Sequence, residues 1–104
     1  MDKNVNIAIA EYLDLIKEKY SDLESVYLFG SYAKGETTDD SDIDLALVFN
    51  KLEDSRRFDL QVQLMLLAAK IDSRIEPHPL SYEDFNSGNP FAVEIKKSGI
   101  EIAA

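Results

Sequence analysis

Residues 42–49, DIDLALVF, constrain the fold more than any other stretch of the 104-residue chain. The inner half of this segment is apolar at every position, and a strand with two apolar faces has to be covered on both sides. We therefore predict that residues 42–49 form a central strand with helices packed against the sheet that contains it. Two aspartates, Asp42 and Asp44, stand at the start of this strand.

The rest of the chain alternates helical and extended patterns. Apolar residues recur at helical spacing over 5–20 and 53–70, and we predict a long helix in each range. The buried stripe of the second helix is expected to consist of Phe58, Val62, Met65, Leu66 and Ala69. Short strands are predicted at 25–30, 72–80 and 100–103, and short helices at 31–34, 81–85 and 89–99.

The composition narrows the class of protein. With 45% apolar residues and no dividing linker, we expect one domain over residues 1–104, of the α/β or α+β class. The lack of cysteine excludes disulfides and thiolate metal sites, and together with the absence of a recognisable signal peptide or membrane-spanning run it favours a cytoplasmic protein. A net charge of −9 disfavours extended nucleic acid as a ligand, but a bound cation can still hold a small phosphate compound.

The pair formed by Asp42 and Asp44 predicts a metal site. Residues at i and i+2 on a strand point to the same face, with Cα atoms roughly 6.5 to 7 Å apart. Two carboxylates held so close repel each other, and a divalent cation between them removes that repulsion. Oxygen-rich sites suit Mg²⁺, and a pair of such ions can clamp the attacking and leaving oxygens of a phosphoryl or nucleotidyl transfer.

Gly30 and Ser31 predict a phosphate-binding turn. Glycine lets the backbone approach a ligand closely, and Ser31 is expected to cap a helical turn over 31–34 whose free N–H groups face an anion. The alternative for the acidic loop that follows, ETTDDS, is an ordinary solvated turn, for which aspartate and serine are common residues. The turn at Gly30 and Ser31 and the pair of Asp42 and Asp44 together favour a ligand site more strongly than either feature does alone.

Gly30 and Ser31, followed after ten residues by Asp42-Ile43-Asp44, resemble the motif of the nucleotidyltransferase superfamily that includes DNA polymerase β. The string LFGSYAKGETTDDSDIDLALVF is similar to the minimal nucleotidyltransferases, which are single-domain members. The resemblance implies a small mixed β-sheet flanked by helices, like the polymerase β palm. It also implies that Gly30 and Ser31 hold the phosphates of ATP or another NTP, and that Asp42 and Asp44 bind Mg²⁺, with two ions expected.

A third acid on a neighbouring strand is a further feature that the resemblance implies, as a metal ligand and general base. Asp72 and Glu76 have the same strand parity, so parity does not decide between them. Glu76 is favoured because Asp72 lies nearer to a turn, where aspartate is common. His78 stands between two prolines and is interpreted as a rigid edge residue, and Arg74 is expected to pair with an acid.

Three functions are compatible with these residues. The first is an Mg²⁺-dependent transfer of AMP from ATP to a hydroxyl, and the resemblance implies a tyrosine of a helical HEPN-type toxin as the acceptor, so that the chain acts as an antitoxin. The second is a weak or inactive domain that neutralises its partner by binding alone. The third is an antibiotic-modifying enzyme that needs a second subunit. The oligomeric state and the base of the NTP stay open.

Overall fold

A four-stranded mixed sheet forms the centre of the fold. The computed structural model describes residues 3–38 and 41–102, so the predicted loop residues 39 and 40 and the end of the predicted strand 100–103 lie outside the described ranges. The strands are β1 (Leu23–Phe29), β2 (Ile43–Phe49), β3 (Ile75–Ser81) and β4 (Ile100–Ile102). Their order is β3-β2-β1-β4, with β2 and β3 parallel and the other two pairs antiparallel.

Helices cover both faces of this sheet. They are α1 (Lys3–Lys19), α2 (Ser31–Lys34), α3 (Arg57–Ile71), α4 (Tyr82–Phe85) and α5 (Pro90–Ser98), and a 3-10 turn over Asp54–Arg56 leads into α3. One core cluster joins the sheet to α1 and α3, and a second cluster joins the opposite face to α4 and α5. Among residues 3–38 and 41–102, no helix is long and apolar enough to cross a membrane.

Strand β2 occupies the central position that its sequence predicts. Every residue of β2 except Asp44 is buried. Leu45 and Leu47 point into the cluster with α1 and α3, whereas Ala46 and Val48 point into the cluster with α4 and α5. The α/β class and the mixed sheet flanked by helices are therefore confirmed.

Strand β3 lies at the edge of the sheet, as its two prolines indicate. Pro77 and Pro79 pair in register with Leu45 and Leu47 of β2. Proline has no N–H to donate to a neighbouring strand, so it is tolerated where that side of the backbone faces solvent. His78 precedes Pro79, which restricts the backbone of His78 to extended conformations.

The predicted buried stripe of α3 is wrong. Phe58 is 76% exposed and Leu66 is 63% exposed, and the other three members, Val62, Met65 and Ala69, are exposed as well. The buried residues of α3 are Leu64, Leu67 and Ala68. This helix has apolar residues around most of its circumference, so spacing alone does not indicate which face is buried. Packing on α1 decides it, since the buried Tyr12 hydroxyl donates to the Leu64 carbonyl at 2.9 Å.

Candidate active site

Three neighbouring strands bring Phe29, Asp44 and Glu76 into one row across the sheet. Asp44 lies opposite Phe29 in the pairing of β2 with β1, and opposite Glu76 in the pairing of β2 with β3. Because side chains alternate along a strand, His78 is on the same face as Glu76, two positions further along. The site therefore lies on the side of α4 and α5, at the end of the sheet where β2 and β3 begin.

Asp44, Glu76 and His78 converge on one point. Each offers a ligand atom, and these atoms lie within 4.8 Å of one another. Nε2 of His78 is 3.2 Å from Oδ1 of Asp44, and the two side chains are 38% and 22% exposed. Oxygen ligands at about 2.1 Å from one octahedral ion are roughly 3 Å apart as neighbours and about 4.2 Å apart as opposites. The upper bound of 4.8 Å is close to these distances, so the three side chains are candidate ligands of a single divalent cation.

Asp42 adds a third carboxylate beside Glu76. It is exposed and comes just before β2, one residue outside the strand in which it was predicted. Desolvation raises the pKa of Glu76, and the negative charges of Asp42 and Asp44 and a hydrogen bond with Asp42 raise that pKa further, partly offset by His78. Asp42, Asp44 and Glu76 therefore share a small volume in which a bound cation would relieve their repulsion.

Gly30 brings the turn after β1 into direct contact with Asp44. Its φ is +74°, a conformation that favours glycine, and a Cβ at this position would lie 2.6 Å from Oδ2 of Asp44. Gly30 also occupies the N-cap position of α2, so that Ser31, predicted as the cap, is the first helical residue. Gly35 ends α2 in the left-handed conformation.

Asp72, the other candidate for the third acid, is paired with Arg74. Nε and Nη2 of Arg74 donate to the two oxygens of Asp72 at 3.1 and 2.8 Å, and the Arg74 backbone N–H donates at 2.9 Å. These hydrogen bonds hold the pKa of Asp72 below its usual range. Nη1 of Arg74 also donates to the Tyr32 hydroxyl at 3.4 Å, which links the start of β3 to α2. The predicted pairing of Arg74 with an acid is confirmed.

The rings of Phe29, His78 and Phe91 form an aromatic group beside the carboxylates. The Phe29 ring lies 5.1 Å from the His78 ring and 5.4 Å from the Phe91 ring, edge to face in both cases. A cavity of about 110 Å³ opens beside Gly30, between α2 and α5. A larger cavity, of about 190 Å³, lies by Phe49 on the opposite side of the sheet and contains none of these groups. The smaller cavity is lined by Phe29, Gly30 and Phe91, so it lies beside the turn that contacts Asp44.

The sequence pattern does not predict that His78 and Phe91 lie at this site. For His78 a signal was available, because it shares strand parity with Glu76 and must face the same side of β3. The flanking prolines favoured a purely structural interpretation instead. Phe91 carries no such signal, since its approach to Phe29 depends on how α5 packs on the sheet.

The family described as Polymerase beta, Nucleotidyltransferase matches residues 11–104. Similar proteins include candidate protein adenylyltransferases of Methanocaldococcus jannaschii. One is 33% identical in an alignment of 95 residues that covers 82% of this chain and 64% of the relative. Another is 38% identical in an alignment of 66 residues that covers 62% of this chain and 66% of the relative. The chain spans about half to two thirds of the length of the curated relatives it matches. The chain belongs to the polymerase β nucleotidyltransferase family.

Solved structures share the fold. A candidate nucleotidyltransferase from Sulfolobus solfataricus aligns with a TM-score of 0.63 at 22% identity, over 97% of this chain and 86% of the other. A toxin–antitoxin structure with AMP-PNP gives 0.57 at 24% identity, over 86% and 67%. The tri-AMPylated Shewanella oneidensis HEPN toxin in complex with MNT antitoxin gives 0.55 at 20%, over 92% and 69%. The nucleotidyltransferase fold that the motif implies is confirmed.

Proposed function

We propose that this chain is an Mg²⁺-dependent nucleotidyltransferase that transfers AMP from ATP to a hydroxyl group. The observation that carries the proposal is the convergence of Asp44 and Glu76 with His78 within 4.8 Å, with Asp42 beside Glu76. This cluster lies at the end of the sheet where β2 and β3 begin, and the chain has the nucleotidyltransferase fold. Carboxylate oxygens are the ligands that Mg²⁺ prefers.

Each residue of the motif has a proposed role. Asp42, Asp44 and Glu76 hold the metal, and a bound Mg²⁺ supplies positive charge against the triphosphate. Gly30 lets its backbone approach the phosphates, because it has no Cβ and its turn already lies against Asp44. The Ser31 hydroxyl donates a hydrogen bond to a phosphate oxygen.

The proposed reaction exchanges one bond at the α-phosphorus of ATP for another. The oxygen of the acceptor hydroxyl forms a bond to the α-phosphorus of ATP, and the bond from that phosphorus to the oxygen bridging the β-phosphate breaks. Pyrophosphate leaves with this bridging oxygen. Glu76 accepts the proton of the acceptor hydroxyl as general base. The main contribution of the chain is to hold both reactants in line.

The proposed acceptor is a tyrosine of a HEPN-type toxin, which makes the chain an antitoxin. Two findings support this acceptor: relatives carry the name of candidate protein adenylyltransferases, and one structure with the same fold holds a tri-AMPylated HEPN toxin with its MNT antitoxin. The net charge of −9 favours binding to a basic protein surface.

Labelling tests the proposed transfer. Incubation of the chain with ATP labelled at the α-phosphate, Mg²⁺ and a lysate of the source organism should label a specific protein, and mass spectrometry should locate AMP on a tyrosine of that protein. The double variant Asp42→Asn, Asp44→Asn should abolish the label. Asp14→Asn, the same chemical change at an exposed position of α1, should preserve it. No label with wild-type chain, or undiminished label with the double variant, contradicts the proposal.

Neutralisation of the partner by binding alone is the alternative, and co-expression separates it from catalysis. If the folded double variant no longer transfers AMP and no longer protects cells from the toxin, catalysis is required. If protection persists without transfer, binding is sufficient and the antitoxin role does not depend on the reaction.

A further inference from the structure

The backbone of His78 is held in a defined position at the candidate metal site. It pairs in register with Ala46 of β2, on the face that carries Asp44 and Glu76. Its backbone lies between Pro77 and Pro79, each of which fixes its own φ near −65°. The register and the prolines together fix the direction of the Cα–Cβ bond of His78 toward the face that carries the carboxylates.

The imidazole also has a defined orientation. Its Nε2 atom points at Oδ1 of Asp44 across 3.2 Å, and its ring packs edge to face on Phe29 at 5.1 Å. The ring of Phe91 belongs to the same aromatic group, and its centroid lies 6.1 Å from the centroid of the His78 ring. The nitrogen that faces the carboxylates is therefore the one available to a ligand, while the rest of the ring is supported by aromatic packing.

A histidine in this place changes which ions the site prefers. A neutral imidazole can offer the lone pair of Nε2 to a metal in place of the hydrogen bond to Asp44. Imidazole nitrogen binds first-row transition metals well, whereas Mg²⁺ prefers an all-oxygen environment and retains its waters. A site with two carboxylates and one imidazole thus favours a transition-metal ion more than carboxylates alone do.

We infer that His78 is a metal ligand through Nε2, and that Asp44, Glu76 and His78 together bind a divalent first-row transition-metal ion, such as Mn²⁺ or Co²⁺, more tightly than Mg²⁺. This inference rests on the proposed function for the metal-binding role of the two carboxylates. It adds a ligand that lies outside the Gly30-Ser31 and Asp42-Asp44 motif.

The chain contains one histidine, which makes the test direct. With any affinity tag removed, Mn²⁺ bound to the protein should give an electron spin-echo modulation from a coordinated imidazole ¹⁴N, and His78 is the sole residue that can supply it. Calorimetric titration with Mn²⁺, Co²⁺ and Mg²⁺ should show weaker binding of Mg²⁺ than of the other two ions.

Two variants separate ligation from packing. His78→Phe keeps an aromatic ring against Phe29, and His78→Asn keeps a polar side chain, but neither offers an imidazole nitrogen. Both should lose the ¹⁴N modulation and lower Mn²⁺ affinity on the order of tenfold or more, with Mg²⁺ affinity nearly unchanged and the fold intact by circular dichroism. If Mn²⁺ binds wild-type protein without ¹⁴N modulation, or if both ions weaken equally in the variants, His78 only positions Asp44 and the inference is overturned.

The outcomes also separate this inference from the proposed function. Labelled transfer with no imidazole modulation overturns the ligand role of His78 and leaves the transferase intact. Imidazole modulation in a chain that labels no acceptor supports the metal site and contradicts the transferase.

Discussion

Gly30 and Asp44 are in such close contact that no side chain fits between them. A Cβ added to Gly30 would lie 2.6 Å from Oδ2 of Asp44, although Gly30 is in the turn after β1 and Asp44 is on β2. The turn after β1 is therefore packed directly against the start of β2. A ligand bound to Oδ2 of Asp44 would therefore lie next to the backbone of Gly30.

Gly30→Ala should displace the Asp44 carboxylate and reduce AMP transfer on the order of 100-fold, as a misplacement of about 1 Å in an active site does. The matched control is Gly35→Ala, where φ is also positive, at +72°, but no atom lies within 4 Å of the added Cβ. Both variants should lose unfolding free energy through backbone strain, measured by urea denaturation. The loss should be about 1–2 kcal/mol for Gly35→Ala, which is in the left-handed helical region, and larger for Gly30→Ala, because its φ of +74° and ψ of −147° are essentially restricted to glycine. Equal transfer rates in the two variants would show that the contact with Asp44 is unimportant.

Glu76→Gln and Asp72→Asn should separate the two candidates for the third acid. We expect Glu76→Gln to lower transfer by about 10²- to 10⁴-fold, the range for removal of a general base. Its metal-free form should be at least as stable as wild type, because one of three repelling carboxylates becomes neutral. Asp72→Asn should preserve transfer, because the carboxylate of Asp72 is bound by Arg74. Loss of transfer in Asp72→Asn but not in Glu76→Gln would reverse this assignment.

The ion pair of Asp72 with Arg74 predicts a pH-dependent contribution to stability. The pKa of Asp72 is lower in the folded protein than in the unfolded chain, because Arg74 donates hydrogen bonds to the ionised form. Its contribution is therefore present above the unfolded pKa of about 3.9 and is lost as the pH falls through the folded pKa. Asp72→Asn should reduce the unfolding free energy by about 1 kcal/mol at pH 7.

Urea denaturation of wild type and Asp72→Asn at a series of pH values measures this difference. It should shrink steadily below pH about 4 and vanish in strong acid. Asp14→Asn, at an exposed position, is the control for the loss of one negative charge. A difference that stays constant down to strong acid would mean that Asp72 contributes by something other than its charge.

The rotation of α3 predicts opposite results for two leucines in the same helix. Leu64 is fully buried and Leu66 is 63% exposed. Leu64→Ala should lower the unfolding free energy by about 2–5 kcal/mol because it leaves a cavity against α1, whereas Leu66→Ala should change it by about 0.5 kcal/mol or less. Equal losses in urea denaturation would indicate that the face with Phe58 and Leu66 is covered in solution.

Most local features of the fold were predictable from the sequence. The central strand at 42–49 and the edge strand with Pro77 and Pro79 follow from apolar runs and proline chemistry that neighbouring residues determine. The motif of Gly30, Ser31, Asp42 and Asp44 was sufficient to indicate the family, and the match of residues 11–104 confirms it. The roles of these residues as ligands stay predictions.

The tertiary structure decided the relationships between distant residues. Strand parity left Asp72 and Glu76 equivalent, and it was the register of β3 on β2 that put Glu76 opposite Asp44 and His78 beside it. Helical spacing likewise did not show which face of α3 is buried, because apolar residues surround that helix and its contact with Tyr12 sets the rotation. Patterns along the chain specify local conformation, whereas strand register and helix rotation depend on packing between segments far apart in sequence.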